Sequence, residues 1–136
     1  MVSSRLTLFL SGFFKEFLYS TNESRYYVFG LSMGGFGTWD IVSRYPDIFA
    51  GAFAICGGGD PSKADVLKNI PIWTVHSRAD GGVPVSGTRD TVNAIKAAGG
   101  TLVTYKELDS EDHNQTGWVG VKDEDIFTEM FSQIKK

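Results

Sequence analysis

The chain has 136 residues, 42 % hydrophobic and 21 % charged, with only 4 prolines. That is the size of one folded domain, burying about 65 to 70 % of its unfolded surface, and the composition lies outside the disordered, collagen-like and low-complexity classes. Thirteen basic against sixteen acidic residues give a net charge of -3 with no clustered basic stripe, so nucleic acid is not expected as a partner. A lone cysteine, Cys56, forms no intrachain disulfide, and two histidines leave little capacity for a His/Cys metal site.

In chain order, Leu6, Leu10, Phe13, Phe14, Phe17 and Leu18 follow a helical spacing and predict an N-terminal helix within residues 1–24, although Leu6, Leu8 and Leu10 also fit a strand period. The apolar stretch at residues 6–10 lacks the basic cluster and small-x-small site of a signal peptide. No apolar run reaches the ~18 to 20 residues of a membrane span, so a soluble, cytoplasmic chain without a membrane partner is expected. Arg25-Tyr-Tyr-Val-Phe-Gly-Leu31 is an apolar run without alternation, as expected of a central strand covered on both faces.

Phe36, Trp39, Val42 and Tyr45 recur every three residues until Pro46, so the spacing predicts a helix over residues 33–45 directly after that strand. Residues 49–56 read as a second strand ended by three glycines, residues 62–67 as a short helix and residues 70–76 as a third strand. Ser86 is placed as the N-cap of a helix carrying Val92, Ile95 and Ala98, closed by Gly99-Gly100. Residues 101–106 form the fourth strand. A last helix starts near Asp123 with Lys135-Lys136 at its end and an apolar face of Ile126, Phe127, Met130, Phe131 and Ile134. Alternating strands and helices define an α/β class with a parallel sheet.

The junction Gly30-Leu-Ser32-Met-Gly34-Gly35 is a G-x-S-x-G turn between strand and helix, the context in which a serine is held on a strained turn with its hydroxyl projecting above the sheet. The flanking glycines are expected to avoid collisions with the neighbouring strand and helix. The same turn places the Met33 N–H at a helix N-terminus, where it can stabilise an oxyanion. A serine hydroxyl needs a base to take its proton. His76 ends a strand and is read as a packed ring with a satisfied hydrogen bond, whereas His113 lies in a polar loop, Asp109-Ser-Glu-Asp-His113-Asn-Gln, after the fourth strand and is the candidate base. Residues following different strands of a parallel sheet converge on one edge. Asp60 and Asp80 can therefore both orient His113, and Asp80 is preferred because its turn-rich loop fixes a carboxylate. Asp109, Glu111 and Asp112 are read as solvated rather than as a metal cluster. Trp73, Trp118 and the phenylalanines are read as core or pocket wall. Gly57 to Gly59 lacks phosphate-loop spacing, so no cofactor is implied.

Residues 25–39, Tyr45-Pro-Asp-Ile-Phe-Ala50, Cys56-Gly-Gly-Gly-Asp60, His76-Ser-Arg-Ala-Asp80-Gly-Gly-Val-Pro84 and His113 together resemble the carboxylesterase, phospholipase and dienelactone-hydrolase-like branch of the α/β-hydrolases. The resemblance runs from about Phe14 to the C-terminus. It implies a serine hydrolase acting on esters, with Ser32, Asp80 and His113 on the triad positions in the superfamily's chain order; with no inserted segment long enough to be a lid, short acyl esters of ~2 to 6 carbons are the expected substrates. The stretch between His113 and Trp118 looks slightly longer than the family pattern. Family members carry further strands before the nucleophile strand and draw a second oxyanion donor from them, but here only about 24 residues precede Arg25, so a sheet reduced to about four strands is expected. The open strand edge would invite pairing. A homo-oligomer is therefore expected, through residues 25–31 or exchange of residues 6–18. Two further readings stand beside the short-chain esterase: a peptidase or thioesterase using the same triad, and a non-catalytic, hydrolase-derived assembly subunit.

Overall fold

The computed structural model describes residues 22–136, and the helix expected over residues 6–18 lies outside them. After a short 3₁₀ turn (Glu23–Arg25) come β1 (Tyr27–Leu31), α1 (Met33–Arg44) and β2 (Gly51–Ile55). A second 3₁₀ turn (Pro61–Lys63) leads into the single-turn α2 (Ala64–Leu67). Then follow β3 (Ile72–Ser77), α3 (Ser86–Ala97), β4 (Val103–Leu108), α4 (His113–Val121) and α5 (Glu124–Ser132). The four strands pair in parallel in the order β1-β2-β3-β4.

Every residue of β2 and β3 is buried, which is why those stretches read as continuous rather than alternating runs. Ala52, Ala54 and Ile72 turn one face of the sheet toward Trp39 and Val42 of α1, Leu67 of α2 and Ile95 of α3. Phe53, Ile55, Trp73 and Val75 turn the other face toward Ile126 and Met130 of α5. Each large apolar side chain buried in these two layers contributes about 1.5 to 3 kcal/mol relative to exposure. The sheet is thereby rigid beneath its C-terminal edge, where the loops gather.

Four expectations need correction. The strand at residues 25–31 is not central among the described residues: β1 ends the sheet, and Phe29 and Leu31 are 54 % and 47 % exposed. Apolar patterning reports which faces a strand can cover, and says nothing of its rank in the sheet. Ser86 is the first residue of α3 rather than its cap; Val85 takes the cap position and offers no side-chain oxygen. At the other end Gly99 does adopt the left-handed conformation, at φ 84°. Helix α5 stops at Ser132, with Gln133 extended. Lys135 and Lys136 therefore lie beyond its last turn, and the Lys135 amide donates to the Ser24 carbonyl instead. Lastly, the polar stretch around His113 is not loop throughout, because α4 begins at His113. Two glycines and scattered polar residues blur its apolar stripe. The signal that was legible is the Asp112-x-x-Gln115 capping box, whose two reciprocal hydrogen bonds form.

Candidate active site

Ser32 is the single residue between β1 and α1, held at φ 55° and ψ -117°. A non-glycine residue there carries about 1 to 3 kcal/mol of strain and persists only where its surroundings over-determine it. They do so through two backbone bonds: the Ser32 amide donates to the Ile55 carbonyl of β2 at 2.9 Å, and the Phe36 amide donates to the Ser32 carbonyl at 3.1 Å. The steric need for glycine falls on Gly30, where a Cβ would strike the Gly34 backbone, and on Gly35, where it would lie 2.5 Å from the Ile55 carbonyl oxygen. Gly34 has nothing within 4 Å of such a Cβ, so the expectation that every flanking glycine prevents a collision holds for two of the three.

Asp80 follows β3 in a tight turn. Its Oδ1 accepts from the amides of Gly82 at 2.9 Å and Val83 at 2.8 Å, and its Oδ2 lies 2.7 Å from His113 Nδ1. Burial pushes this carboxyl upward, but the hydrogen bonds from Val83, His113 and Gly82 together outweigh it and hold the group below the usual carboxylate range. An ionised carboxylate only accepts, so His113 Nδ1 carries the proton and Nε2 is left bare to accept from the Ser32 hydroxyl, 2.8 Å away. His113 is aimed by its place at the start of α4, where Asp112 caps the helix. Met33, the first residue of α1, is 83 % exposed, and its N–H is among the first-turn amides that find no acceptor within the helix.

The structure thus joins Ser32, His113 and Asp80 in one hydrogen-bonded chain, with Met33 beside it. Asp60 is not brought there: its carboxylate accepts from the Ser62 amide and caps the turn at Pro61–Lys63. In the acidic stretch, Asp109 pairs with Arg78 at 3.0 Å and Asp112 caps α4. Trp73 packs in the core and donates to Glu129, whereas Trp118 stands 64 % exposed on α4 with the Lys122 ammonium 5.3 Å from its ring centre.

Reading by motif missed Cys56 and the surroundings of His76. Cys56, the residue after β2, is fully buried with φ 42°. Its thiol, Asp80 and His113 each place one potential ligand atom within 4.8 Å of the others. A cation held there would have to displace the proton between His113 and Asp80 and ionise a thiol that burial pushes upward; the hydrogen bonds present are those of a proton relay. No motif could have signalled Cys56, since its approach to Asp80 depends on the pairing of β2 with β3, where the Cys56 amide donates to the Val75 carbonyl at 2.8 Å.

The chain matches no protein-family model. Over 40 residues it is 52 % identical to poly(3-hydroxyalkanoate) depolymerase C of Paucimonas lemoignei, a match spanning 29 % of this chain and 10 % of the depolymerase. Among solved structures it superposes on a thermostable esterase with a TM-score of 0.80 and 34 % identity, covering 96 % of this chain and 37 % of that one. An acylaminoacyl peptidase of Pyrococcus horikoshii gives 0.72 at 16 % identity over 93 % of this chain and 27 % of the peptidase. Acyl-protein thioesterase 2 of Zea mays gives 0.57 at 20 % identity over 77 % of this chain and 55 % of the thioesterase. This chain has the α/β-hydrolase fold. It spans little more than a third of the esterase and a tenth of the depolymerase that it resembles.

Proposed function

We propose that this chain is the nucleophile-bearing part of a serine esterase. The observation that carries the reading is the hydrogen-bonded chain from Ser32 Oγ through His113 to Asp80 at the strained β1–α1 turn. His113 Nε2 takes the Ser32 proton as Oγ attacks the ester carbonyl carbon. The developing oxyanion lies toward the Met33 N–H and is stabilised by the amino end of α1. His113 then returns that proton to the departing alcohol, leaving an acyl-serine. A water molecule repeats the sequence, its proton passing to Nε2 and then to Ser32 as the acid is released. Asp80 stays ionised throughout, fixing the tautomer and stabilising the imidazolium.

An oxygen ester is favoured over a thioester or an amide by the 34 % identity to an esterase, since the peptidase and thioesterase likenesses extend only to the fold. Short acyl chains of ~2 to 6 carbons suit the rim, because an added methylene gains its ~0.8 kcal/mol only when removed from water. Met33 and Phe36 beside Ser32 are 83 % and 45 % exposed, which offers little burial to a longer chain. A second copy pairing along β1 is proposed as the partner.

Ser32→Ala tests the reading. It should abolish both hydrolysis of a p-nitrophenyl ester and labelling by a fluorophosphonate; full activity in the variant would sink the assignment. A rate that climbs steadily to acyl chains of twelve or more carbons would reject the short-chain preference.

A further inference from the structure

The second histidine lies inside the same site. His76, on β3, has no exposed surface, and its Nε2 faces two acceptors, the Val83 carbonyl at 3.0 Å and Asp80 Oδ2 at 3.2 Å. Neither a carbonyl nor an ionised carboxylate can donate, so Nε2 must hold a proton. Burial, its largest influence, pushes the imidazole below its ordinary value. The ring is then neutral near pH 7 and its Nδ1 is bare. Thr88 Oγ1 of α3 is 2.7 Å from that nitrogen and 3.1 Å from the Gly57 carbonyl, so its one proton serves one of these two acceptors.

We propose that His76 is a positioning residue for the acid of the triad: its Nε2–H, bonded to the Val83 carbonyl, is shared with Asp80 Oδ2 and holds the carboxylate toward His113. Asp80 then has an amide pair on Oδ1 and an imidazole pair on Oδ2, so rotation of the carboxylate costs at least one hydrogen bond whichever way it turns. The relay runs from Thr88 through His76, Asp80 and His113 to Ser32. A ring that served only to fill the core need not touch Oδ2.

The inference rests on the esterase reading for its effect on turnover, and its geometry is tested independently. The chain has only two histidines, so the ring ¹⁵N resonances are assigned by one substitution. In the unmodified protein at pH 7.5 (a solution condition of about neutral pH, chosen so that the buried ring is neutral) His76 should be protonated at Nε2 with Nδ1 accepting; the Nδ1–H tautomer would overturn the proposal without any variant having to fold. His76→Gln can return a donor near the Nε2 position, whereas His76→Asn reaches Thr88 but falls short of Asp80. His76→Gln should keep kcat within about 3-fold and preserve the His113 ring-proton resonance. His76→Asn should lower kcat about 10- to 100-fold with KM unchanged and shift or broaden that resonance, an effect in the range of other supporting groups that aim a functional ligand. Equal behaviour of the two variants, or a loss confined to KM, would also overturn it. An Nε2–H tautomer in a protein that hydrolyses no ester would instead retire the esterase reading and leave the Asp80 contact standing.

Discussion

β1 and β4 close the two ends of one sheet, and their sequences meet solvent in different ways. β4, Val-Thr-Tyr-Lys-Glu-Leu, alternates in burial and carries two charges. Glu107 accepts two hydrogen bonds from Arg89 and one from Tyr105, while Lys106 reaches Asp123 at 2.8 Å. Such a strand is guarded against edge-to-edge pairing. β1, Tyr-Val-Phe-Gly-Leu, has no charge and pairs with β2 on one side only among the described residues. Its Phe29 meets Phe127 edge-on at 5.2 Å but stays 54 % exposed. Among the described residues, the strand that leads to Ser32 lacks the charges that guard β4.

The largest effect is expected from disabling the hydrogen-bonded chain that ends at Ser32. Asp80→Asn leaves the shape intact but offers His113 a donor in place of an acceptor. The esterase reading then expects kcat to fall about 10⁴-fold in steady-state assays. Next in size is the turn itself. In Gly35→Ala the new Cβ would press on the Ile55 carbonyl, and urea titration should show a loss of about 1 to 3 kcal/mol. Gly34→Ala, with open space at that position, should be neutral or stabilising.

At the β4 end the effect is smaller and depends on pH. The Arg89 guanidinium, helped by Tyr105, draws the Glu107 carboxyl down to about 2. A carboxyl lowered by folding stabilises the native state above its unfolded value near 4.5, and that stability is lost as pH falls toward about 2. Thermal melts should therefore show Glu107→Gln depressing the melting temperature at neutral pH and converging with the parent near pH 2. The group is exposed, so salt should shrink the difference. The smallest effect on folding is expected from Phe29→Lys, which gives β1 the charge that β4 already has. Sedimentation at micromolar concentration should show self-association in the parent and a monomer in the variant. A parent already monomeric and fully active would remove the proposed second copy.

Much of this was legible along the chain. The runs at residues 49–56 and 70–76 are apolar without alternation because β2 and β3 are covered on both faces, and the turn at Ser32 announces itself through Gly30 and Gly35, whose backbones have close neighbours. Less legible was α4, whose weak apolar stripe hid a helix that its cap would have revealed. Hidden altogether were the approach of Cys56 to Asp80 and the contact between His76 and Asp80, since neither residue type nor spacing encodes them.

By itself the sequence determined the α/β class, the order of strands and helices apart from α4 and the residue at the strained turn. Those features depend on local periodicity and on backbone conformations that glycine and proline set within a few residues. Tertiary structure alone decided which of two aspartates and which of two histidines joined Ser32. His113 meets Asp80 across 33 residues and Ser32 across 81. Only the parallel pairing of the strands brings their C-terminal ends to one edge, where hydrogen-bond geometry separates Asp80, held by two amides and the His113 imidazole, from Asp60, spent on a helix cap.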